Sequence, residues 1–488
     1  MTKHAAVQFP CEQCPTDPAV ARLLGLYDQR QEGLLMQRVK VHRGRLTPAQ
    51  LAALADLADR FSSGHPLHAT TRQDVELHGL RPGDVPAVQR GIAEAGLTTV
   101  GACGDTLRNV TACPGAGLCQ GTRDVAALAD ALRAAVEGVP WIHDLPRKFK
   151  ISVSGCPRAC GRPFVNDLGF VAEADGSLRV IGAGSLGARP GAGIELCRRL
   201  DPSDAVPLTL AALRLFRAEG DRSNRSRARL RHVRERLGDD AFRRRLDEMF
   251  RAERTRTGGS PEPPPTVEDG RPQAARLHLP LGDLGPTAAL DVARTAAAAG
   301  AEIRIGLEHD ILLFCRAPVR LSPSLRLLLK GPGIVTCPGA TWCKRGVADS
   351  RSAAEGIRAA TDDGADLTIA INGCPNNCAH APVADIGLIG RKRTIDGVPT
   401  ECFRLLAGGG RGTTPRLAEE LHPAVPAARV PVAVARLTDA HTRHARPDEP
   451  FSAFLARKGD HLRAGIEASI QEPLSLPSPR RKVGTGTN

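Results

Sequence analysis

The chain has 488 residues, of which 42% are hydrophobic, 24% are charged and 3% are aromatic; this balance fits a globular protein with two or more domains. No apolar run reaches the roughly 20 residues of a membrane span, and the N-terminus lacks the apolar region of a secretory signal, so we expect a cytoplasmic protein. The net charge of +13 suits an acidic protein partner, whereas the few aromatic residues argue against nucleic-acid binding.

The first predicted elements are a strand, a helix and a second strand. The strands are GLLMQRVKV (33–41) and HATTRQDVELHGL (68–80). The helix between them begins at Thr47 and Pro48, which are preferred residues at the N-cap and the first helical position. A loop TACPGAGLC (111–119) follows, then an alanine-rich helix, a strand that ends in a C-x3-C pair, a β-hairpin and further helices.

The second half repeats this order. Its strands are ARLHLPLG (275–282) and EIRIGLEHDILLF (302–314), with the helix PTAALDVARTAAAAG between them. The loop VTCPGATWC (335–343), an alanine-rich helix, a strand with a C-x3-C pair, a hairpin and helices follow. A Pro- and Gly-rich segment, 254–276, separates the halves and predicts a linker, and 471–488 predicts a disordered tail. The repeat predicts a duplicated α+β fold.

Eight of the 14 cysteines form two sets of matched spacing, each a C-x5-C pair followed by a C-x3-C pair. The sets are Cys113, Cys119, Cys156 and Cys160 in the first half, and Cys337, Cys343, Cys374 and Cys378 in the second. Four thiolates can hold zinc or an iron–sulfur cluster. The wide spacing and the Gly- and Pro-containing loops favour the cluster, because backbone amides in such loops can face a negative sulfur core.

Four cations accompany the cysteines of the first half. Lys148 and Lys150 alternate with apolar residues and therefore share one face of a predicted strand that runs into C-x3-C. Arg72 begins a similar strand, and Arg108 lies five residues before Cys113. Neighbouring lysines repel each other unless an anion lies between them. Together the four side chains predict an anion pocket.

The second half lacks these cations. In the same register the positions of the four cations are taken by Glu308, Pro332, Asp366 and Thr368. The two halves therefore differ in the positive charge that they can offer to an anion.

The sequence resembles the sirohaem-dependent nitrite and sulfite reductases. The motifs that carry the resemblance are YDQRQEGLLMQRVK, TTRQDVELHG, RNVTACPGAGLC, LPRKFKISVSGCP, GDRSNRSRAR, CPGATWC and NGCPNNCAHAPVADIGLIG. The resemblance implies an α+β fold with a pseudo-two-fold duplication, in which two ferredoxin-like half-domains accompany two mixed α/β modules that bind sirohaem and cluster. The implied boundaries are 15–90 and 277–330 for the half-domains, and 91–253 and 331–470 for the modules.

The resemblance also implies roles for individual residues. Cys337, Cys343, Cys374 and Cys378 would bind the catalytic [4Fe–4S] cluster, and Cys378 would also be the axial ligand of the sirohaem iron. Arg72, Arg108, Lys148 and Lys150 would bind the substrate anion. Arg38, Gly409 and Arg411 would contact the sirohaem.

Two features depart from the simplest family pattern. Many single-chain members lack the first cysteine set, so Cys113, Cys119, Cys156 and Cys160 predict a second cluster that serves as an electron relay or is the remnant of a cofactor site. Tyr27 is the only tyrosine, and Cys103 lies near the substrate arginine in sequence. Some sulfite-reducing members link such a pair covalently, so Tyr27 and Cys103 are candidates for a side-chain link.

The implied activity is six-electron reduction of sulfite to sulfide or of nitrite to ammonia, with electrons from an external donor such as ferredoxin, because the chain has no flavin or nicotinamide fingerprint. The same cations suit both anions, and the Tyr27/Cys103 pair favours sulfite. Two alternatives stay open at this stage: an oxygenase similar to precorrin-3B synthase, which has a cluster without sirohaem, and a non-catalytic protein stabilised by zinc.

Overall fold

The computed structural model describes residues 8–257, 262–331, 333–361, 367–412 and 415–471. The predicted tail beyond residue 471 lies outside these ranges, as do the middle of the predicted linker and the positions of Pro332 and Asp366.

The described helices cover both halves, and none is long and apolar enough to cross a membrane. In chain order they are α1 Pro18–Leu23, α2 Pro48–Phe61, α3 Val85–Glu94, α4 Ala126–Glu137, α5 Ala205–Glu219, α6 Leu230–Leu237, α7 Asp239–Thr257, α8 Pro286–Ala299, α9 Pro323–Arg326, α10 Gly339–Trp342, α11 Ser350–Ala360, α12 Val430–His444 and α13 Phe451–Gln471.

The described strands are short in the first half and longer near the C-terminus. In chain order they are β1 Leu26–Asp28, β2 Leu35–Val39, β3 Arg45–Leu46, β4 Leu67–Ala69, β5 Val75–Leu80, β6 Thr111–Ala112, β7 Ile151–Ser154, β8 Leu168–Ala172, β9 Leu178–Gly182, β10 Ile194–Leu200, β11 Gln273–His278, β12 Asp283–Leu284, β13 Glu302–Ile305, β14 Asp310–Phe314, β15 Gly333–Thr336, β16 Thr368–Asn372, β17 Ile386–Ile395, β18 Val398–Ala407 and β19 Glu419–Pro426.

The described strands form four sheets that repeat in pairs. The half-domain sheets have the orders β1-β2-β5-β4-β12 and β11-β14-β13-β3, and the module sheets have the orders β10-β9-β8-β7-β6 and β15-β16-β17-β18-β19. In both modules three parallel neighbours, β6-β7-β8 and β15-β16-β17, continue into antiparallel hairpins. The predicted α+β duplication is confirmed.

The two half-domains exchange short strands. β12 from the second half pairs with β4 of the first, and β3 from the first half pairs with β13 of the second. Buried residues of α2 and α8, such as Leu54 and Val292, belong to one shared hydrophobic core. This exchange holds the halves face to face, so a pocket can draw side chains from both.

The prediction of one long strand over 68–80 and another over 302–314 is wrong, because each segment is a hairpin. The turns are closed by the N–H of Thr70 donating to Asp74 O and the N–H of Gly306 donating to Asp310 O, both at 2.9 Å. Gln73 and His309 occupy the left-handed region at the same place in each turn, with φ of 61° and 57°. These matched turns align Arg72 with Glu308, as the sequence register predicts.

The predicted linker is partly ordered structure. α7 extends to Thr257, and β11 begins at Gln273. Between them, the N–H of Val267 donates to Thr122 O at 2.8 Å, and the N–H of Arg271 donates to Leu118 O at 2.9 Å. Residues 262–272 therefore form a strap over the cysteine loop of the first half.

Candidate active site

The second cysteine set is assembled at the carboxyl ends of β15 and β16. The N–H of Cys337 donates to Ile371 O at 3.2 Å, which fixes the loop to the neighbouring strand, and the N–H of Gly373 donates to the Cys337 Sγ at 3.2 Å. Burial raises the pKa of Cys337 to about 12 and that of Cys374 to about 11, and in both cases the nearby Cys378 is the second cause. Burial raises the pKa of Cys343, and Cys378 raises it further. Cys378 therefore lies within electrostatic reach of each of the other three cysteines.

This donor set fits an iron–sulfur cluster better than zinc. Among the described residues, no three Cys, His, Asp or Glu side chains converge on a point that a single metal ion could occupy. The four ligands of a zinc site meet at one ion, whereas a [4Fe–4S] core places iron and sulfide between its cysteines. Neighbouring but separated thiols, with a backbone N–H directed at one sulfur, match the second arrangement.

Cys378 faces the other half of the molecule. It is the exposed thiol of its set, and its charge acts on both Lys148 and Lys150. The Thr71 hydroxyl, from the turn between β4 and β5, donates to Cys378 O at 2.7 Å. The first half thus touches the backbone of the outermost cysteine and presents its lysines to the same space.

The structure brings the four predicted cations together. Burial and then Arg108 lower the pKa of Lys148 to about 7. Burial, Arg72 and Lys148 lower the pKa of Lys150 well below its ordinary value. The Arg72 guanidinium donates to Asn166 Oδ1 at 2.8 Å and to Asn109 O at 2.7 Å, which fixes its direction. Burial and neighbouring cations thus disfavour the charged form of each lysine, and an anion bound between them would favour it.

Arg108 has an additional task that the sequence did not reveal. Its guanidinium donates to Ala102 O at 2.8 Å and to Gly104 O at 3.0 Å. These carbonyls flank Cys103, so the arginine shapes the loop that contains this cysteine. The contacts fix the position of the Arg108 charge, which acts on Lys148.

A buried ion pair supports Lys150. The Asp167 carboxylate is fully buried, accepts from Arg229 Nε at 3.1 Å, and accepts from the Lys150 backbone N–H at 2.8 Å. In the second half the Thr368 N–H donates to Asp385 in the same way, at 2.9 Å. Sequence reasoning missed this pair, although the repeated NDLG and ADIG segments were a signal that could have found it.

Replacing Arg229 by methionine is expected to lower the free energy of unfolding by about 3–5 kcal/mol, because the buried Asp167 carboxylate would lose its partner. Urea unfolding followed by circular dichroism measures the change. The matched control is Arg251→Met, which breaks an exposed Arg251–Asp247 pair on α7 and should cost about 1 kcal/mol or less. Equal losses in the two variants would contradict the structural role of the buried pair.

The residues predicted to contact sirohaem have protein partners of their own. Arg38 Nε donates to Glu76 Oε1 at 2.9 Å, and Arg411 forms an ion pair with Glu308. A Cβ on Gly409 would lie 2.5 Å from Ala384 O, so close backbone packing alone requires glycine there. Contact with a cofactor carboxylate by either arginine would compete with an existing ion pair, and these roles stay predictions.

Tyr27 and Cys103 have different charged neighbours. Cys103 is fully buried, and Arg38 and Arg108 act on its pKa. Tyr27 lies near Arg147 and Arg225. The side-chain link between Tyr27 and Cys103 remains a prediction.

Comparison with known proteins gives a consistent result. Residues 103–253 and 333–473 match the family described as "Nitrite and sulphite reductase 4Fe-4S domain", and residues 27–95 match the "Nitrite/Sulfite reductase ferredoxin-like half domain". The chain is 29% identical to the assimilatory ferredoxin-dependent nitrite reductase of Haloferax mediterranei, over 93% of this chain and 87% of that protein. It is 31% identical to the ferredoxin–nitrite reductase of Synechococcus elongatus, over 80% of this chain and 82% of that protein.

A solved structure supports the same fold. The NirA protein of Mycobacterium tuberculosis aligns with a TM-score of 0.77 at 23% identity, over 90% of this chain and 89% of that one. At this identity the alignment concerns the fold alone. It agrees with the duplicated arrangement of sheets described above.

Proposed function

Because the chain belongs to the nitrite and sulphite reductase family, we propose that it catalyses the six-electron reduction of nitrite to ammonia with ferredoxin as the electron donor. The observation that carries the proposal is the cluster of Arg72, Arg108, Lys148 and Lys150, which faces the exposed thiol of Cys378. The similarity to proteins named ferredoxin-dependent nitrite reductases supports both the substrate and the donor. The net charge of +13 would favour docking of an acidic donor.

Sirohaem and a [4Fe–4S] cluster belong to this family's chemistry, and the thiols of the second cysteine set fit the cluster. The cluster would be held by Cys337, Cys343, Cys374 and Cys378, and the thiolate of Cys378 would also hold the sirohaem iron. When bound, these groups supply an open iron site and deliver electrons one at a time.

The side chains of the first half bind the anion and provide protons. Arg72 and Arg108 keep their charge throughout and orient the negative oxygens of the substrate. Each oxygen leaves as water, so protons must reach it repeatedly. The Lys148 ammonium, with a pKa of about 7, can donate a proton near neutral pH and regain one from solvent. Fixed charges in a partly dry pocket stabilise the negative charge that develops on the departing oxygen.

Parallel assays on nitrite and sulfite test the choice of substrate. With reduced viologen as the donor, we expect kcat/KM for nitrite to exceed that for sulfite. A preference for sulfite would overturn the proposed substrate. The Tyr27/Cys103 pair favoured sulfite at the sequence level, whereas the named relatives favour nitrite.

An absorption spectrum, together with analysis of iron and acid-labile sulfide, tests whether the protein is a reductase of this kind. We expect sirohaem bands, iron and acid-labile sulfide. A spectrum that shows an iron–sulfur cluster without sirohaem would favour the oxygenase similar to precorrin-3B synthase. A colourless protein that contains zinc would favour the non-catalytic protein stabilised by zinc. The family match supports the reductase over both.

The pH dependence of kcat/KM tests the role of Lys148. This parameter reports the ionisation of the free enzyme, and Lys148 is charged only below its lowered pKa of about 7. We therefore expect kcat/KM for nitrite to fall as the pH rises above about 7. In Lys148→Arg the side chain stays charged at all these pH values, so the alkaline fall should disappear while the maximum rate drops. An unchanged profile in this variant would contradict the assignment.

A further inference from the structure

The first cysteine set is built on the same backbone frame as the second. The N–H of Cys113 donates to Val153 O at 2.9 Å, as the N–H of Cys337 does to Ile371 O. The N–H of Cys119 donates to Gly115 O at 3.0 Å, and that of Cys343 to Gly339 O at 2.9 Å. Both C-x5-C loops therefore leave their sheets in the same way.

The two C-x3-C loops also agree in detail. Ala159 and Asn377, which precede the last cysteine of each set, occupy the left-handed region with φ of 55° and 54°. The N–H of Gly155 points at the Cys113 Sγ at 3.5 Å, where Gly373 points at Cys337 in the second set. Cys160, like Cys378, is the exposed thiol of its set. A non-glycine residue in the left-handed region costs free energy, so its repetition indicates that both loops are shaped for the same task.

The thiols of the first set act on one another as those of the second do. Cys119, Cys156 and Cys160 all lie within electrostatic reach of the Cys113 thiol. As in the second set, no three of these described side chains converge on a single ion position. The strap, which lies over residues 118–124, holds the loop of Cys119 in place, because the N–H of Gly121 donates to Val267 O at 3.0 Å.

The surroundings of the first cysteine set differ from those of the second on the side that corresponds to the anion pocket. Glu308 occupies the place of Arg72 and pairs with Arg162 at 2.8 Å, with Arg276 at 2.9 Å and with Arg411. Arg162 also donates to His380 at 2.9 Å. The position that Arg72 occupies on the other side is therefore taken by a carboxylate paired with three arginines.

From this geometry we propose that Cys113, Cys119, Cys156 and Cys160 bind a second [4Fe–4S] cluster with no sirohaem beside it. Four cysteines on a matched frame provide the ligands, and the Gly155 N–H is directed at one of the sulfurs. In the region that corresponds to the substrate pocket, the Glu308 ion-pair network takes the place of the free cation Arg72. The proposal rests on the family membership and not on the choice between nitrite and sulfite.

Metal analysis of the full-length protein, purified without oxygen, tests the proposal. We expect about nine iron and about eight acid-labile sulfide per sirohaem, against about five and about four if there is a single cluster beside the sirohaem iron. After reduction with dithionite, electron paramagnetic resonance should detect the spins of two clusters. A count near five iron per sirohaem, or zinc in place of the additional iron, would overturn the proposal.

Substitution then locates the additional iron. The double variant Cys113→Ser/Cys156→Ser should lose about four iron and about four sulfide while it keeps its sirohaem absorption. The matched control Cys197→Ser changes a cysteine of the same half that belongs to neither set, and it should keep the full iron content. An unchanged iron content in the double variant would contradict the proposed ligands. If the double variant does not fold, the iron and sulfide content of the wild-type protein tests whether a second cluster is present. Because the readout is iron and sulfide, failure here is distinct from failure of the nitrite assay.

Discussion

Replacing Cys378 by serine is expected to abolish nitrite reduction and to remove the sirohaem absorption bands. Cys378 is the exposed thiol of the second set, its charge acts on Lys148 and Lys150, and it is the proposed shared ligand of cluster and sirohaem iron. A serine hydroxyl is a far weaker ligand for these soft iron sites than a thiolate. Absorption spectra, iron content and turnover with reduced viologen measure the three losses.

The matched control for this experiment is Cys402→Ser. Cys402 is fully buried in the same half and belongs to neither cysteine set. It should therefore keep both the sirohaem bands and the activity, apart from a modest loss of stability. If Cys378→Ser retained its sirohaem absorption, the ligand assignment would be wrong even if the activity had fallen.

Replacing Lys148 by methionine is expected to lower turnover by a factor of about 10² to 10³, which corresponds to about 2.7–4 kcal/mol of transition-state stabilisation. Methionine is an unbranched side chain of similar length and removes the charge and the donated proton. The proposed cofactor ligands are other residues, so the sirohaem bands and the iron content should be unchanged. Steady-state kinetics with nitrite, together with the absorption spectrum, distinguish a loss of turnover from a loss of cofactor.

Lys392 provides the comparison for this substitution, because it is an exposed lysine on β17. Lys392→Met should keep turnover within about twofold, because exposed side chains away from the site contribute little. Wild-type turnover in Lys148→Met would remove the lysine from the mechanism. A loss of sirohaem in this variant would instead assign it to cofactor binding.

Local sequence patterns predicted most of the elements that frame the site. The predicted N-cap of α2 is present: the Gln50 N–H donates to the Thr47 hydroxyl at 3.1 Å. The hairpins after each C-x3-C pair are present as β8–β9 and β17–β18. Where the prediction was wrong, at 68–80 and 302–314, the strand pattern is interrupted by a residue in the left-handed region. The first turn, over 70–74, contains no glycine or proline that would indicate it, whereas Gly306 in the second turn was a signal that could have found it.

The partners of the predicted site residues could not be read from the sequence. Arg411 and Glu308 are 103 residues apart and Arg229 and Asp167 are 62 apart, yet both pairs are in contact. Either arginine, taken alone in the sequence, is indistinguishable from a solvated surface charge. The exchanged strands β3 and β12 have two residues each, which is too short for any periodic pattern.

The sequence by itself determined that the chain is duplicated, that each half has four cysteines at matched spacing, and that only the first half has the four cations. These features lie within short stretches, where periodicity and spacing are set by neighbouring residues. The tertiary structure alone decided which charges meet. It placed Lys148 and Lys150 across the interface from Cys378, and it set Glu308 among three arginines where the first half has Arg72. Those contacts depend on the exchange of strands between the half-domains, and therefore on packing between segments far apart in the chain.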